Sequence, residues 1–314
     1  MASVEDAVLV DLDRDGSPDV VSAAEGRTRS LFVHWAPTDA ARLLDPIAWS
    51  TTPIPGSRGR MQWMFTLPLQ LDGKHGPDLV AAGKNEGAEL GWWEAPRDAR
   101  NLAEWHWRRL RAVGWIMSLV GEDMDGDGDT DLLCSDRKGP SAGVFWLENP
   151  GLTRVAGEWV EHPVAAGGRE AMFLAVSDFD GDGRRDVVAA VKDQELLLCR
   201  RLDGSGLRWD VSSVSLPGNT GGAKAVQAGD LDGDGRAELV FTCVGATNGR
   251  HGVMGLRRAP EGSGWVPVII GGPDGVKHDL VELQDLDSDG DLDVLTCEET
   301  RNLGVFWYEN PSRK

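Results

Sequence analysis

Five copies of one acidic loop divide this chain into repeats, and they constrain its fold more than any other feature. Each copy reads Asp-x-Asp-x-Asp-Gly-x-x-Asp or Glu, and the copies begin at residues 11, 123, 178, 230 and 285. Alternate carboxylates around a glycine turn point toward one spot, and oxygen ligands at that density suit calcium. The sequence therefore predicts up to five Ca²⁺ sites. The predicted ligands are Asp11, Asp13, Asp15 and Asp19; Asp123, Asp125, Asp127 and Asp131; Asp178, Asp180, Asp182 and Asp186; Asp230, Asp232, Asp234 and Glu238; and Asp285, Asp287, Asp289 and Asp293.

A sixth copy without the full acidic set lies between the first two loops. In residues 70–78, Gln70, Asp72 and Lys74 occupy the positions of the three leading aspartates. A lysine ammonium at this place supplies the positive charge that calcium supplies elsewhere. We therefore predict that this loop is metal-free, with Lys74 in place of the ion.

An EF-hand is the main alternative for such loops. That motif needs a bidentate Glu at position twelve and a helix on each side. Position twelve is occupied by Ser22, Cys134, Ala189, Phe241 and Thr296, and each loop runs into a strand-like stretch. The sequence therefore argues against an EF-hand.

The six copies recur at a regular distance, with starts at 11, 70, 123, 178, 230 and 285. A repeat of this length is one supersecondary unit that stacks on its neighbours. The unit reads as four strands: one ends at the loop, the second leaves it, the third is an aromatic run such as 144–150, and the fourth opens on tryptophan. Four short strands per repeat are typical of a propeller blade. The sequence thus predicts an all-β fold, a six-bladed β-propeller with calcium-binding Asp-rich loops between the first and second strands.

These loops, together with the Trp-x-Glu-Asn-Pro ending of the third strand at Trp146 and Trp307, resemble the FG-GAP/VCBS repeat family. The resemblance covers essentially the whole chain and implies a calcium-decorated β-propeller. Members include adhesion modules, lectins, polysaccharide lyases and aldos-2-ulose dehydratase, so the resemblance is compatible with several functions.

The repeats predict a single domain over residues 1–314, because neighbouring blades share a core. Only three residues follow Pro311, so we expect the sixth blade to have three strands unless the native chain begins further upstream. We expect a monomer.

The formal charge of -19 reflects the loops, whose twenty carboxylates account for much of the acidity. Nucleic acid is therefore not an expected partner. Neither a membrane span nor a signal peptide is apparent. Calcium loops favour an exported protein, whereas four cysteines on separate strands favour a reducing compartment, so localisation stays open.

A ligand site is expected on the face opposite the calcium loops, where the first strands begin and the repeats differ from one another. Side chains there should converge on the propeller axis. Trp63 and Trp115 fall outside the blade-packing positions and suit stacking on a sugar ring. His278 is the predicted base, and Lys277 and Arg169 are predicted to stabilise an oxyanion. The candidate catalytic residues are His278, Lys277, Arg169, Glu170, Lys224 and Arg60, and the candidate substrate-binding residues are Trp63, Trp115, Gln62, Asp279, Lys84, Glu86, Arg137, Lys138, Glu298 and Glu299.

Structural roles compete with each of these assignments. The two tryptophans could plug the axis, His278 could be a hydrogen-bonded part of the channel wall, and the cations could form a salt-bridged lining. No nucleophile elbow, zinc-spaced histidine pair or phosphate loop is found.

Three functions follow from this pattern. The first is a carbohydrate-active lyase or dehydratase that abstracts a proton next to a carbonyl or carboxylate. The second is a non-catalytic propeller that binds a glycan or sugar acid, and the third is a protein-interaction propeller.

Overall fold

The computed structural model describes residues 3–140, 142–165, 167–192, 194–259 and 264–311, and in these ranges the chain is strand and turn. Their helical segments are three 3-10 turns, at Ala40–Arg42, Pro46–Ala48 and Pro55–Ser57, and none is long and apolar enough to cross a membrane. The strands are β1 (Ser3–Val10), β2 (Asp19–Glu25), β3 (Ser30–Trp35), β4 (Ser50–Pro53), β5 (Gln62–Leu69), β6 (Asp78–Lys84), β7 (Glu89–Glu94), β8 (His106–Ala112), β9 (Ile116–Glu122), β10 (Asp131–Asp136), β11 (Gly143–Glu148), β12 (Val160–Ala165), β13 (Ala171–Ser177), β14 (Asp186–Val191), β15 (Glu195–Arg201), β16 (Trp209–Ser215), β17 (Gly222–Gly229), β18 (Glu238–Val244), β19 (Val253–Arg258), β20 (Trp265–Ile269), β21 (His278–Gln284), β22 (Asp293–Glu298) and β23 (Gly304–Tyr308).

These strands form six antiparallel sheets in which consecutive strands are neighbours. Five sheets have four strands, and the sixth has three, β21, β22 and β23, over the described residues. The acidic loops connect the first and second strands of their sheets, as the repeat predicted. The arrangement fits the predicted all-β fold with six blades of the β-propeller type.

The second strand of each blade carries most of the core. Every residue of β6, β10 and β14 is buried, whereas the fourth strands β16 and β20 are largely exposed. A strand covered on both faces reads as a continuous apolar run rather than an alternating one. This explains the Val, Ala and Leu runs that follow the acidic loops.

The chain divides into two compact units, Met1–His162 and Pro163–Lys314. The first contains the first three sheets, apart from the end of β12, and the second contains the other three. In the first unit, one hydrophobic cluster joins the first sheet to the second and another joins the second to the third. The single-domain expectation stays a prediction.

An irregularity in strand pairing occurs at the start of every first strand. In β5, for example, the register shifts between Trp63 and Phe65, and in β21 it shifts between His278 and Val281. Such a bulge re-aims the side chains around it. The residues proposed for the ligand site therefore lie where strand alternation does not predict side-chain direction.

Candidate functional site

The acidic loops share one folded form, built around their glycine. The carboxylate at loop position one accepts a hydrogen bond from the backbone N–H of position six: Gly16 to Asp11 at 3.1 Å, and Gly183 to Asp178 at 2.9 Å. Both glycines have φ near +90°, a backbone region that other residues adopt at a cost. The turn is thus formed by the protein itself.

The last carboxylate of the loop is buried and links the loop to the end of the third strand by hydrogen bonds. Asp19 accepts the N–H of Leu12 at 3.1 Å and that of Ala36 at 2.8 Å. Asp78 accepts two equivalent bonds in the loop that contains Lys74, so this role does not depend on an acidic set. Asp131 and Asp293 repeat the pattern.

The carboxylates that lie close enough together to share one metal ion are fewer than the predicted ligand sets. In the loops that start at 11, 123, 230 and 285, the carboxylates at positions one, three and five have oxygens within 4.8 Å of one another. In those loops the ninth position, predicted as a ligand, is not part of the group, and its carboxylate accepts backbone N–H groups. The four residues concerned are Asp19, Asp131, Glu238 and Asp293.

The loop at 178–186 differs, because its ninth residue joins the group. Asp178, Asp180 and Asp186 offer oxygens within 4.8 Å of one another. Asp186 is fully buried, and its Oδ2 has no hydrogen-bond partner among the described residues. Burial raises the pKa of Asp186 to about 6, and the charges of Asp180 and Asp182 add to the rise. A divalent cation would satisfy this oxygen, so the donor set fits calcium.

Asp291, in the last loop, adds a second observation of this kind. Both of its carboxylate oxygens are buried without a hydrogen-bond partner among the described residues. Burial raises its pKa, as do the charges of Asp289 and Asp293. A nearby cation would relieve both effects.

Lys74 lies where the sequence places it in the sixth copy. Its ammonium is 3.0 Å from Asp72 Oδ2 and 3.3 Å from Glu94 Oε1. The Gln70 amide replaces the first carboxylate and donates to the carbonyls of Lys74 and Gly76, both at 2.7 Å. This loop is closed by its own side chains.

Arg100, which the sequence analysis missed, neutralises part of the first loop. Its Nε lies 2.5 Å from Asp13 Oδ2 and its NH2 lies 3.4 Å from Asp15 Oδ2. The guanidinium also lies over the Trp35 ring, 4.7 Å from the centroid. Arg100 follows β7 of the next blade, so only the packing of two blades brings it to this loop.

Trp63 is a core residue, and its predicted role in sugar stacking is wrong. The side chain is fully buried, and its Nε1 donates to the Ser57 carbonyl at 3.0 Å. Its ring lies edge-on to Trp107, at 5.5 Å, and tilted to Trp93, at 6.4 Å. No ligand reaches a ring packed in this way.

Trp115 is half-buried and lies among three cations. The Nζ of Lys84, the guanidinium carbon of Arg137 and the Nζ of Lys138 lie 4.8, 4.6 and 4.7 Å from its ring centroid. All four residues were predicted to bind substrate, and the structure brings them together in the first unit. We call them the Trp115 cluster.

Asp136 fixes the backbone of the Trp115 cluster. Its buried carboxylate accepts the N–H groups of Gly114 at 2.9 Å, Trp115 at 2.7 Å and Lys138 at 3.2 Å. A Cβ on Gly114 would lie 1.9 Å from the Lys138 carbonyl oxygen, so only glycine allows this approach. The cluster is therefore held by its backbone rather than by mobile side chains.

Lys84 is the buried member of the cluster, and two carboxylates compensate its charge. Its Nζ pairs with Glu25 at 2.5 Å and with Glu5 at 3.3 Å. Burial raises the pKa of Glu5, and the carboxylates of Glu5 and Glu25 share the Lys84 ammonium. Lys138, by contrast, is exposed. The cluster thus presents positive charge to solvent on an acidic chain.

His278 does not have the access that a general base needs. It is fully buried, its Nε2 lies 3.2 Å from the Asp274 carbonyl oxygen, and its ring lies 5.6 Å from that of Phe306. Its ring also leaves no room for a Cβ at Gly252 or Gly275. This packing fits the alternative interpretation, in which His278 is a hydrogen-bonded part of the channel wall.

Most other proposed catalytic charges have acidic or basic partners, as in a salt-bridged lining. The pairs are Arg60 with Glu89 at 2.8 Å, Arg169 with Glu195 at 2.9 Å, Glu170 with Lys192 at 3.1 Å, Lys224 with Asp279 at 2.8 Å, and Lys277 with Glu299. Gln62 accepts the Gly26 N–H at 2.6 Å, and Glu86 is exposed on its turn.

Glu298, predicted to bind substrate, is a buried backbone acceptor. Its Oε1 accepts the N–H groups of Val276 at 3.1 Å and Lys277 at 3.3 Å. Its Oε2 accepts those of Arg301 at 2.8 Å and Leu303 at 3.5 Å. Burial alone would raise the pKa of Glu298, but the four N–H groups lower it to about 2. Its role is to hold two turns together.

The proposed axial residues fall into both compact units, from Arg60 to Lys138 in the first and from Arg169 to Glu299 in the second. A single pocket built from both sets stays a prediction.

Comparison with known proteins supports the fold. The FG-GAP-like repeat model matches residues 178–241, which include two of the acidic loops. No curated protein matches the chain. The crystal structure of BBS1N in complex with ARL6DN, soaked with mercury, is similar with a TM-score of 0.55 and 12% identity, over 99% of this chain and 82% of that one. The chain therefore contains an FG-GAP-like repeat within a fold similar to that of BBS1N.

Proposed function

We propose that this protein is a calcium-loaded, non-catalytic propeller that binds an acidic carbohydrate at the Trp115 cluster. The observation that carries the proposal is the position of one half-buried indole among Lys84, Arg137 and Lys138. An indole offers an apolar face for sugar C–H groups, and arginine and lysine bind carboxylates. A sugar acid combines both features in one ligand.

Calcium in this proposal is structural. The groups of three carboxylates would hold the ions, and bound Ca²⁺ would supply charge compensation on the loop side of the blades. The unpartnered oxygens of Asp186 and Asp291 support this role, and the Lys74 loop needs no ion.

The lyase or dehydratase hypothesis is not carried further. It required His278 as an accessible base and Trp63 as a stacking platform, and both side chains are fully buried. Binding without chemistry needs neither residue.

Isothermal titration calorimetry tests the proposal with galacturonate, glucuronate and the parent neutral sugars. We expect uronates to bind the calcium-loaded protein at least tenfold more tightly than neutral sugars, and W115A and K138A to lose most of this preference. R208A is the matched control, because Arg208 is an exposed cation outside the cluster. Equal binding of acids and neutral sugars would contradict the proposal, as would an ultraviolet-absorbing unsaturated product that marks a lyase.

A further inference from the structure

Position seven of the acidic loop, directly after the turn glycine, differs in charge from loop to loop. It is acidic in the loops that start at 123 and 285 and basic in those that start at 178 and 230. The residues are Asp129 and Asp291 in the first two loops, and Arg184 and Arg236 in the other two. All four loops share carboxylates at positions one, three, five and nine, so position seven separates loops that are otherwise alike.

The end of the third strand, which lies beside the loop, follows the same division. In the loop at 178, the N–H of Arg201 binds Asp186 at 2.7 Å. The preceding Arg200 has its Nε 3.7 Å from Asp180 Oδ2, and its NH2 also pairs with Asp210 at 2.8 Å. The equivalent residues, each following the partner of loop position ten, are Glu148 and Glu309 beside the loops at 123 and 285, and Arg200 and Arg257 beside the loops at 178 and 230. Two separate positions therefore give each loop the same sign of charge.

The arginines at position seven engage carboxylates of their own loops. The NH2 and Nε of Arg236 lie 2.5 and 3.1 Å from Oδ2 of Asp234, the carboxylate at position five. Arg184 pairs in the same way with Asp182, and Asp182 is not among the three carboxylates of that loop that lie close together. A calcium ion would have to compete with these guanidinium groups for the same oxygens.

The loops at 123 and 285 have no such compensation. Within the described residues, arginine side chains pair with carboxylates of the loops at 11, 178 and 230, but no arginine or lysine pairs with a carboxylate of these two loops. Asp291 is 6% exposed, and neither of its carboxylate oxygens has a hydrogen-bond partner there. Burial raises the pKa of Asp287, and the charge of Glu309 adds to the rise. Burial and the charge of Glu148 act in the same directions on Asp125.

We propose that the acidic loops form two classes of calcium site, a tight class at 123 and 285 and a weak class at 11, 178 and 230. The affinity of a calcium loop depends on the number of charges that it offers, and each loop of the tight class, with its third-strand glutamate, offers six carboxylates. The loop at 11 belongs to the weak class because Arg100 pairs with two of its carboxylates. This inference rests on the calcium-loaded state of the proposed function and adds the order in which its sites fill.

The distribution of the tight class gives the order of filling a structural consequence. One loop of the tight class lies in each compact unit, because the loop at 123 belongs to residues 1–162 and the loop at 285 to residues 163–314. Each unit would therefore hold one ion at calcium concentrations that leave the weak class empty. Since a bound ion stabilises the folded state by mass action, both units would gain stability before the remaining loops fill.

Competition with a chromophoric chelator measures these affinities on the whole, calcium-stripped protein. We expect two ions to bind roughly tenfold more tightly than the other three, or better. D287N should remove one tightly bound ion, whereas D232N should remove one weakly bound ion.

Charge reversal at the two discriminating positions is the sharper test. The double substitution R236D and R257E, at two exposed side chains, should convert the loop at 230 to the tight class and raise the number of tightly bound ions from two to three. The double substitution D291R and E309R should lower that number to one. R208E is the control, because Arg208 is 72% exposed and lies outside the loops, and it should leave the number at two.

Four results would overturn the proposal. All ions could bind with one affinity, R236D with R257E could leave two tightly bound ions, or D232N rather than D287N could remove a tight one. The loops of the weak class could also stay empty up to about 10 mM calcium, in which case their arginines replace the ion as Lys74 does. Uronate binding is measured separately by calorimetry, so each of these failures is distinguishable from a failure of the Trp115 cluster to bind sugar acids.

Discussion

Glu298 offers the sharpest test of the distinction between structural and ligand-binding charge. Glu298 is 3% exposed, and its carboxylate accepts four backbone N–H groups from two turns, which lower its pKa from an ordinary 4.5 to about 2. One pKa unit corresponds to about 1.4 kcal/mol, so the ionised group should contribute roughly 3 kcal/mol to the free energy of unfolding. Because the folded-state pKa is lowered, this contribution is present above about pH 4.5 and is lost as the pH falls through about 2.

Urea unfolding of the wild type and E298Q at several pH values measures this contribution. We expect E298Q to be less stable by roughly 3 kcal/mol at pH 7, and the difference to shrink as the pH falls from 4.5 to 2. E299Q is the control, because the neighbouring Glu299 side chain is 47% exposed. Wild-type stability in E298Q at pH 7, or a difference that does not change with pH, would refute this reasoning.

Three further predictions follow from the loops and the core. Calcium at one hundred times its Kd should raise the free energy of unfolding by about 2.7 kcal/mol for each occupied site. D180N should lose the contribution of one site, whereas K74A should lose none. Equal calcium dependence of stability in D180N and the wild type would contradict a calcium site in the loop at 178–186. R100A should increase the calcium affinity of the first loop by up to about fivefold, since exposed ion pairs are worth about 0.2–1 kcal/mol; a chelator competition assay measures this, and an unchanged or lower affinity would count against it. W63A should lower the free energy of unfolding, measured by chemical denaturation, by about 3–5 kcal/mol. A free energy of unfolding within 1 kcal/mol of the wild type would contradict the assignment of Trp63 to the core.

Much of the fold could be predicted from the sequence because residues close together within each repeat determine its turn and strands. The acidic loop contains its turn glycine and its capping carboxylate, so Asp11 and Gly16 define the turn without long-range information. Lys74 could be placed in the same way, because it replaces an aspartate within a known register and finds Asp72 two residues away.

The ligand site was less predictable, for two physical reasons. The register shift after Trp63 removes the alternation from which side-chain direction is inferred, and neighbouring tryptophans then bury the ring. His278 stands at the same kind of shift and is buried against Phe306.

Contacts from outside the loop are the second reason. Arg100 pairs with Asp13 across a long sequence separation, and Asp19 accepts a backbone N–H from the end of the third strand of the same blade. A repeat pattern does not show such competition for a carboxylate. The members of the Trp115 cluster, by contrast, were all among the predicted substrate-binding residues, and a β-bridge between Lys84 and Trp115 joins the entrances of neighbouring blades; their role in binding stays a prediction.

The most direct test of the account is a crystal structure of the calcium-loaded protein soaked with galacturonate. We predict density for the sugar ring against Trp115, with its carboxylate beside Arg137 and Lys138. Absence of density there, or a sugar bound beside His278 with that side chain exposed, would contradict the central claim.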